Sequence, residues 1–249
     1  MNPTKFVFKV DYGGLGDHLF YSALPRLLKE ADPKRLVYLS AQSVFRNSQT
    51  FDLVWKHNPY LDGQSSDVPS YLAPERAQAT QKVINRIYER FGFVAETEFL
   101  PELYYPLSVA PAFKQDYIDL NYISFIGALA WFDKIAILKN YPNHIVVNPE
   151  PWMQQWLRGR QYQFTQSLIE YATLLNSATH FVTVASGGAT LAAALRKPSV
   201  VYYGFGQHPM FHHGMHQYIQ VGGSHVLRRK LAKFLRKRNE WRLRQSQTL

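Results

Sequence analysis

Two glycine-rich turns carry the residues of this sequence that are best suited to chemistry. The first runs Asp11-Tyr-Gly-Gly-Leu-Gly-Asp-His18 and places an acid, Asp17, where a strand would turn into a helix. A carboxylate in that position can accept a proton from a hydroxyl group, so Asp17 is a candidate general base. His18 beside it could orient Asp17 or bind the acceptor, the molecule that carries this hydroxyl group. The alternative is that Asp17 only caps the helix, because Asp is a favoured capping residue.

Glycines in the first turn also suit ligand binding. Gly14 and Gly16 let the backbone approach a ligand closely, and the helix that follows offers unpaired N–H groups to an anion. The spacing is not that of the dinucleotide-binding motif, and the negative charge of Asp17 would repel a phosphate placed directly there. Gly14 and Gly16 are nevertheless candidate phosphate-binding residues, because their backbone can approach a ligand closely.

The second turn, Ser186-Gly-Gly-Ala-Thr190, contains no acid and precedes a helix of small residues. The N–H groups of Gly187 and Gly188, the hydroxyls of Ser186 and Thr190 and the helix dipole could together hold a diphosphate. A tight turn that only packs a helix against a sheet is the alternative. This turn is therefore a candidate diphosphate site.

A polar loop follows the apolar strand at residues 199–203. Gln207 and His208 could hydrogen-bond a phosphate or a sugar there, and His212, His213 and His216 lie close behind them. His212 and His216 have the i, i+4 spacing of helical metal ligands, but the surrounding glycines and Pro209 disfavour a helix. No metal site is predicted, and a polar surface loop is the remaining interpretation.

The elements that position these turns alternate between strands and helices. Strands are predicted at residues 6–10, 36–40, 145–148, 181–184 and 199–203, and helices at 17–30, 75–91, 167–175 and 189–195. Residues 117–138 are apolar without a clean period and are interpreted as helix. A strand, a glycine-rich turn, a helix and a second strand form a βαβ unit, which implies a parallel sheet. We predict two α/β lobes, at 1–142 and 143–226, and a separate tail at 227–249.

Composition narrows the class of protein. The 249 residues are 46% hydrophobic and 18% charged, which suits a chain with a large buried core. The absence of Cys excludes disulfides, thiol nucleophiles and Cys-ligated metal sites. Neither a signal peptide nor a membrane-spanning helix is predicted, since no segment approaches the roughly 20 apolar residues that a spanning helix needs.

Positive charge is concentrated at the end of the chain. The net charge is +10, and residues 228–249 hold nine Lys and Arg side chains but one acid, Glu240. Apolar residues recur between them at helical spacing, so we predict a basic amphipathic helix. Its apolar side could dock on the protein, or the helix could lie on an anionic membrane surface. Nucleic acid is the least supported partner, because no zinc-finger or RNA-binding signature accompanies the charge.

Several segments together resemble glycosyltransferase family 9, which includes the heptosyltransferases of the lipopolysaccharide inner core. Gly16-Asp-His-Leu-Phe-Tyr-Ser-Ala-Leu-Pro25 is similar to that family's Gly-Asp and Leu-Pro pattern after its first strand. Asn58-Pro-Tyr-Leu-Asp62 is similar to its Asn-Pro-Tyr before an acid. Ala185-Ser-Gly-Gly-Ala-Thr-Leu-Ala-Ala-Ala-Leu-Arg-Lys-Pro198, followed by an apolar strand ending at Gly204, resembles its C-terminal motif.

The resemblance implies a GT-B-like α/β fold, with the acceptor in the N-terminal lobe and the donor nucleotide in the C-terminal lobe. It implies metal-independent, inverting transfer of a hexosyl or heptosyl group from a nucleoside-diphosphate sugar, without a cofactor. The implied acceptor is a bacterial surface glycan or a lipopolysaccharide-type glycolipid. Asp17 would be the general base, and Ser186, Gly187 and Gly188 would meet the donor phosphates. The enzyme would be cytoplasmic, or peripheral at the inner membrane through residues 228–249.

Three departures from the family keep alternatives open. The family's acid before Ser-Gly is Ala185 here and its His is Thr190, so the donor's identity does not carry over. Only 18 residues separate Asn148 from Ser167, which predicts a shortened C-terminal lobe. The turn at 13–16 followed by Leu-Phe also resembles α-1,2-fucosyltransferases, although no His-x-Arg motif follows. A non-catalytic sugar- or nucleotide-binding module is the second alternative.

Overall fold

Two parallel β-sheets organise the chain. The structure, a computed structural model, describes residues 4–70, 82–94, 97–121, 129–157 and 159–222. The first sheet has the strand order β1-β2-β3, and the second has the order β6-β5-β4-β7-β8-β9. Both sheets are parallel throughout, so helices must cover them, as the alternation of elements in the sequence predicts.

The first lobe contains residues up to about 110. Its strands are β1 (Lys5–Phe8), β2 (Leu36–Ser40) and β3 (Gln64–Ser65), and its helices are α1 (Leu15–Phe20), α2 (Leu24–Ala31), α3 (Gln49–Val54) and α4 (Val83–Glu89). The helix predicted over 17–30 is divided into α1 and α2. Pro25 lies in the first turn of α2, where the missing N–H group costs no helical hydrogen bond.

The second lobe carries the larger sheet. Its strands are β4 (Asp116–Asp119), β5 (Ile145–Val147), β6 (Tyr162–Gln163), β7 (His180–Val184), β8 (Val200–Gly204) and β9 (Gln217–Val221). Its helices are α5 (Trp131–Asn140), α6 (Pro151–Gln154), α7 (Leu168–Ser177) and α8 (Gly187–Ala194). Between Asn148 and Ser167, where a shortened segment is expected, the chain forms the four-residue α6 and the two-residue β6.

Two predictions about the middle of the chain are wrong. Residues 117–138 are not one helix, because β4 occupies 116–119 and pairs with both β5 and β7. The lobe boundary predicted at residue 142 consequently falls inside the second sheet, between β4 and β5. The buried Tyr117 and Ile118 explain the error, since a strand covered on both faces reads as an unbroken apolar run.

The two lobes share a hydrophobic core. One cluster of buried side chains joins Phe8 and Leu19 of the first lobe to Phe181 and Leu191 of the second. A separate cluster lies on the other face of the second sheet, beneath α5 and α6. The second sheet therefore lies between two helical layers, and α1 of the first lobe packs directly on α8.

The Lys-Pro pair at 197–198 has a structural role. The Lys197 ammonium donates hydrogen bonds to the carbonyl oxygens of Asn176 (2.8 Å) and Ala178, at the C-terminal end of α7. These carbonyls lack partners within the helix, so the cation satisfies them and interacts favourably with the helix dipole. The arrangement fixes the end of α7 relative to the end of α8.

The basic tail at 227–249 lies outside the described residues, as does the last part of the predicted second lobe at 223–226. Within the portion of the chain that the structure describes, no helix combines the length and the apolar character needed to cross a bilayer.

Candidate active site

A cleft of about 930 Å³ opens between the lobes. In the second sheet the chain moves outward from β4 to β5 and β6, and then returns to place β7 on the other side of β4. Ligands of open parallel sheets bind outside the carboxyl ends of the strands at such a reversal. Asp119 ends β4, Ala185 follows β7, and both line this cleft.

Both predicted glycine turns line the same cleft and touch each other. A methyl group added at Gly16 would lie 3.3 Å from the Cα atom of Gly187, and one added at Gly187 would lie 3.1 Å from the backbone nitrogen of Gly16. Each turn thus needs glycine because the partner's backbone occupies the space of a side chain. The proximity of Asp17 to the second turn follows, since Asp17 is the residue after Gly16.

Asp17 caps α1 and also faces the cleft. Its Oδ2 atom accepts a hydrogen bond of 3.0 Å from the backbone N–H of Gly14, the N-cap residue of α1. Burial raises the pKa of Asp17, against the lowering effects of the Gly14 N–H group and the positive charge of Arg46. Among the described residues Oδ1 has no hydrogen-bond partner, so one carboxylate oxygen holds the turn and the other is available to a ligand.

The prediction that His18 orients Asp17 or binds the acceptor is wrong. His18 is fully buried and does not line the cleft. Its Nε2 atom lies 2.8 Å from the carbonyl oxygen of Val44, and its Nδ1 atom accepts a hydrogen bond of 2.9 Å from the indole N–H of Trp55. Both ring nitrogens are occupied by this neutral tautomer, and burial lowers the pKa of His18 to about 4. Its role is to hold the loop after β2 against α1.

The second turn forms the N-terminus of α8. Ser186 is the N-cap residue, and its hydroxyl accepts a hydrogen bond of 3.2 Å from the N–H of Gly188. The first turn of a helix has N–H groups without partners inside the helix, and here it is the wall of the cleft at Gly187–Thr190. The predicted residues Ser186, Gly187, Gly188 and Thr190 are therefore together at one anion-compatible helix end.

The two candidate residues of the polar loop after β8, Gln207 and His208, have different environments in the structure. Gln207 lines the cleft, is buried, and has no hydrogen-bond partner for its Oε1 atom in the described residues. His208 does not line the cleft and instead accepts a hydrogen bond from the N–H of Met210, 3.3 Å away. Of these two predicted residues, Gln207 forms part of the wall of the cleft and His208 does not, and donor contact by either one stays a prediction.

The remaining histidines of the loop are structural. His216 places its Nε2 atom 2.9 Å from the carbonyl oxygen of Ala189 in α8, and His212 stacks on Tyr218 with ring centroids 3.7 Å apart. His213 places its Nδ1 atom 3.1 Å from a carboxylate oxygen of Glu98, and Gly214 donates to the other oxygen at 2.6 Å. No group of three or more potential metal ligands is present among the described residues.

The hydrogen bonds of Glu98 to His213 and Gly214 connect segments that are 115 and 116 residues apart in the chain. Burial raises the pKa of Glu98, but the hydrogen bonds from His213 and Gly214 and the nearby charges outweigh it, so the pKa lies below its ordinary value. Such a group contributes stability above its unfolded pKa and loses that contribution as the pH falls through the folded value.

We expect Glu98→Gln to lower the free energy of unfolding at pH 7 by about 1–3 kcal/mol, because a buried charge-assisted hydrogen bond is lost. The difference from the parent should shrink as the pH falls from 7 through the lowered pKa of Glu98, because the carboxyl group itself then becomes protonated. Urea unfolding at pH 7 and over an acidic pH series measures it. Asp52→Asn, which removes one partner of the exposed pair with Lys56, is the control and should change stability by less than about 0.5 kcal/mol. An equal effect of both variants would contradict the prediction.

The sequence analysis missed a buried acid at the strand reversal. Asp119 accepts a hydrogen bond of 2.6 Å from the Tyr171 hydroxyl through Oδ2, and bonds from the N–H and side-chain amide of Asn121 through Oδ1. Burial raises the pKa of Asp119 and the hydrogen bonds from Tyr171 and Asn121 oppose that rise. The sequence signal is the Asp-x-Asn pair of Asp119 and Asn121 at the end of an apolar segment. The interpretation of residues 117–138 as one helix hides it, because these residues then do not follow a strand.

Other cleft residues were also missed because each stands alone in the sequence. Asn148 directly follows β5, has a positive φ of 46° and exchanges two hydrogen bonds with Thr165, at 2.9 and 2.8 Å. Asn tolerates this left-handed conformation better than most residues. Arg46 and Gln49 reach the cleft from the loop and helix after β2. Their sequence neighbourhood carries no recognisable motif.

Solved structures of known proteins share the fold of this chain, although comparisons of its sequence find no match. No protein-family model matches the sequence, and no curated protein matches it. Among solved structures, a glycosyl transferase family 9 protein from Veillonella parvula is similar over 94% of this chain and 91% of its own, with a TM-score of 0.61 and 12% identity. ADP-heptose lipopolysaccharide heptosyltransferase II of E. coli is similar over 87% and 90%, with a TM-score of 0.58 and 12% identity.

The E. coli heptosyltransferase WaaC, in its complex with ADP, is similar over 92% of this chain and 99% of its own, with a TM-score of 0.54 and 13% identity. Together with the two parallel sheets, these structures confirm the predicted GT-B-like fold. The identities are low, so the similarity concerns the fold.

Proposed function

We propose that the chain is a glycosyltransferase that moves a sugar from a nucleoside-diphosphate sugar to an acceptor hydroxyl with inversion. The observation that carries this proposal is the direct contact between the two glycine turns. It places a carboxylate from one lobe and a helix N-terminus from the other at one cleft. Those are the two groups that such a transfer needs, a proton acceptor and an anion site.

In the proposed transfer, the first lobe removes a proton from the acceptor and the second lobe stabilises the leaving diphosphate. The free oxygen of Asp17 accepts the proton of the acceptor hydroxyl while that hydroxyl oxygen forms a bond to the anomeric carbon. The bond from the anomeric carbon to the diphosphate oxygen breaks, and its electron pair leaves with the nucleoside diphosphate. The N-terminus of α8 stabilises the charge of the departing diphosphate through the helix dipole and the backbone N–H groups of Gly187 and Ala189, since the Gly188 N–H already bonds to the Ser186 hydroxyl. The raised pKa of Asp17 makes its carboxylate a stronger base than an exposed one.

The proposed substrate classes are inferred from the structurally similar proteins. Two of these are heptosyltransferases, and one structure contains ADP. A nucleoside-diphosphate hexose or heptose is therefore the proposed donor, and a bacterial surface glycan or lipopolysaccharide-type glycolipid the proposed acceptor. Ser186, Gly187, Gly188, Thr190 and Gln207 are the proposed donor residues. The sequence of residues 228–249 suits attachment to an anionic membrane surface, which would bring the enzyme to a glycolipid acceptor.

A panel of ADP-, GDP-, UDP- and CMP-sugars tests donor binding through the melting temperature of the full chain. A ligand at 100 times its Kd stabilises the folded state by about 2.7 kcal/mol, which corresponds to a rise of roughly 5–10 °C for a protein of this size. We expect one nucleotide class to produce that rise. The absence of a shift with every sugar nucleotide and every free diphosphate would overturn the proposal.

A further inference from the structure

The cleft contains little positive charge for a site that receives a diphosphate. Of the described residues that line it, Arg46 is the single Lys or Arg, whereas Asp17 and Asp119 are acids. A nucleoside diphosphate brings at least two negative charges into this space. The helix end at Gly187 supplies a partial positive charge of about one half, which leaves most of the ligand's charge uncompensated.

Arg46 is held in place through its backbone rather than through its side chain. Its N–H donates a hydrogen bond of 2.9 Å to the carbonyl oxygen of Gly13. A methyl group at Gly13 would lie 2.8 Å from the Arg46 nitrogen and 3.1 Å from its Cγ atom, so the first turn is shaped to receive this residue. Among the described residues the guanidinium has no ion pair or hydrogen bond, and it is exposed to the cleft.

The segment that carries Arg46 reaches the opposite lobe. Three residues further on, the Gln49 side chain accepts a hydrogen bond of 2.6 Å from the N–H of Leu168, the first residue of α7. The positive charge of Arg46 also acts on Asp17, which follows the glycine in contact with Gly187. Arg46 thus lies near the junction of the lobes and lines the same cleft as the second turn.

We propose that Arg46 binds the diphosphate of the donor from the first lobe, opposite the helix end of the second. The proposal rests on the proposed function. A guanidinium can hydrogen-bond two phosphate oxygens at once and supplies the positive charge that a diphosphate needs, whereas an acceptor hydroxyl needs no such charge. The diphosphate then bridges the lobes, and Arg46 stabilises the leaving group as well as the bound donor.

The test compares the affinity of a nucleoside diphosphate with that of its nucleoside. Calorimetric titration with ADP, GDP, UDP and CDP, and with the four nucleosides, first identifies the base that the parent prefers. We expect Arg46→Gln to reduce the ratio of diphosphate to nucleoside affinity by about 10- to 100-fold, the range of a charge-assisted hydrogen bond. Arg46→Lys should recover part of it. Lys56→Gln, which removes an exposed cation paired with Asp52, is the control and should leave the ratio unchanged.

The outcomes separate this inference from the proposed function. If the parent binds diphosphate more tightly than nucleoside and Arg46→Gln preserves that ratio, Arg46 does not bind phosphate and the proposed function is unaffected. If the parent binds no diphosphate more tightly than its nucleoside, both proposals fall. Affinity is the chosen readout because the loss of Arg46 also changes the charge around Asp17, and so would alter turnover by a second route.

Discussion

Asp17→Asn should lower the turnover of sugar transfer by about 10²- to 10⁴-fold, the usual contribution of a positioned general base. The substitution is chosen because an Asn side chain retains an oxygen that can accept the hydrogen bond from the Gly14 N–H. The hydrogen bond that caps α1 therefore survives, and the variant should keep the melting temperature and the donor affinity of the parent. Turnover with the donor identified by the binding panel is the measurement.

A control in the same turn sharpens this result. Asp11 is exposed, pairs with Lys9 at 3.1 Å and does not line the cleft, so Asp11→Asn should transfer sugar at the parental rate. Asp17→Asn activity equal to that of the parent would rule out the assignment of the base. Normal donor binding without any transfer by the parent, over a broad acceptor panel, would instead favour the non-catalytic binding module.

The pH dependence gives an independent measure of the same carboxyl group. A general base acts in its ionised form, so kcat/KM should fall as the pH drops through the pKa of Asp17. Burial raises that pKa, and the fall should therefore begin at a higher pH than for an exposed aspartate. Asp17→Asn should lack this limb in whatever residual activity it retains.

Gly188→Ala should lower the free energy of unfolding by about 1–3 kcal/mol, the usual cost of forcing a methyl group into a packed interior. The added carbon would lie 2.4 Å from the Tyr171 hydroxyl oxygen, which is buried and bonded to Asp119. Relief requires Tyr171 or the α8 turn to move. Donor affinity should fall as well, because the turn is the proposed phosphate site.

Removing the opposing hydroxyl tests this explanation. Tyr171→Phe alone should destabilise the protein by about 1–2 kcal/mol, since the Asp119 carboxylate loses a buried hydrogen bond. In the double variant the added methyl group has space. Its loss of unfolding free energy should therefore be smaller than the sum of the two single-variant losses. Strictly additive losses in chemical unfolding would show that the overlap with Tyr171 is not the cause.

Local patterns in the sequence predicted the pieces that depend on local chemistry. The strands β2, β7 and β8, the capped start of α7 and both glycine turns are recognisable because each depends on residues within a few positions of one another. Asp17 and the second turn were singled out by residue type and spacing alone. The resemblance to a known family then predicted that they share one cleft, and the contact between Gly16 and Gly187 places them there.

Helix geometry explains why sequence proximity misled the assignment of His18. Consecutive residues of a helix are rotated by about 100° from each other, so Asp17 and His18 cannot face the same side. Asp17 faces the cleft, and His18 is turned into the core between Val44 and Trp55. The sequence placed the two side by side, and the rotation of α1 separated their roles.

Sequence alone determined that the chain is an α/β protein with an acid at one glycine turn and a helix end at another, because these depend on short-range preferences. The tertiary structure decided which distant residues join them. Asp119 and Tyr171 meet because β4 is inserted between β5 and β7, a strand order that no local preference encodes. Arg46 reaches the cleft because the loop after β2 folds back on Gly13. Such contacts depend on how whole elements pack, so the site became complete only when both lobes were assembled around their shared core.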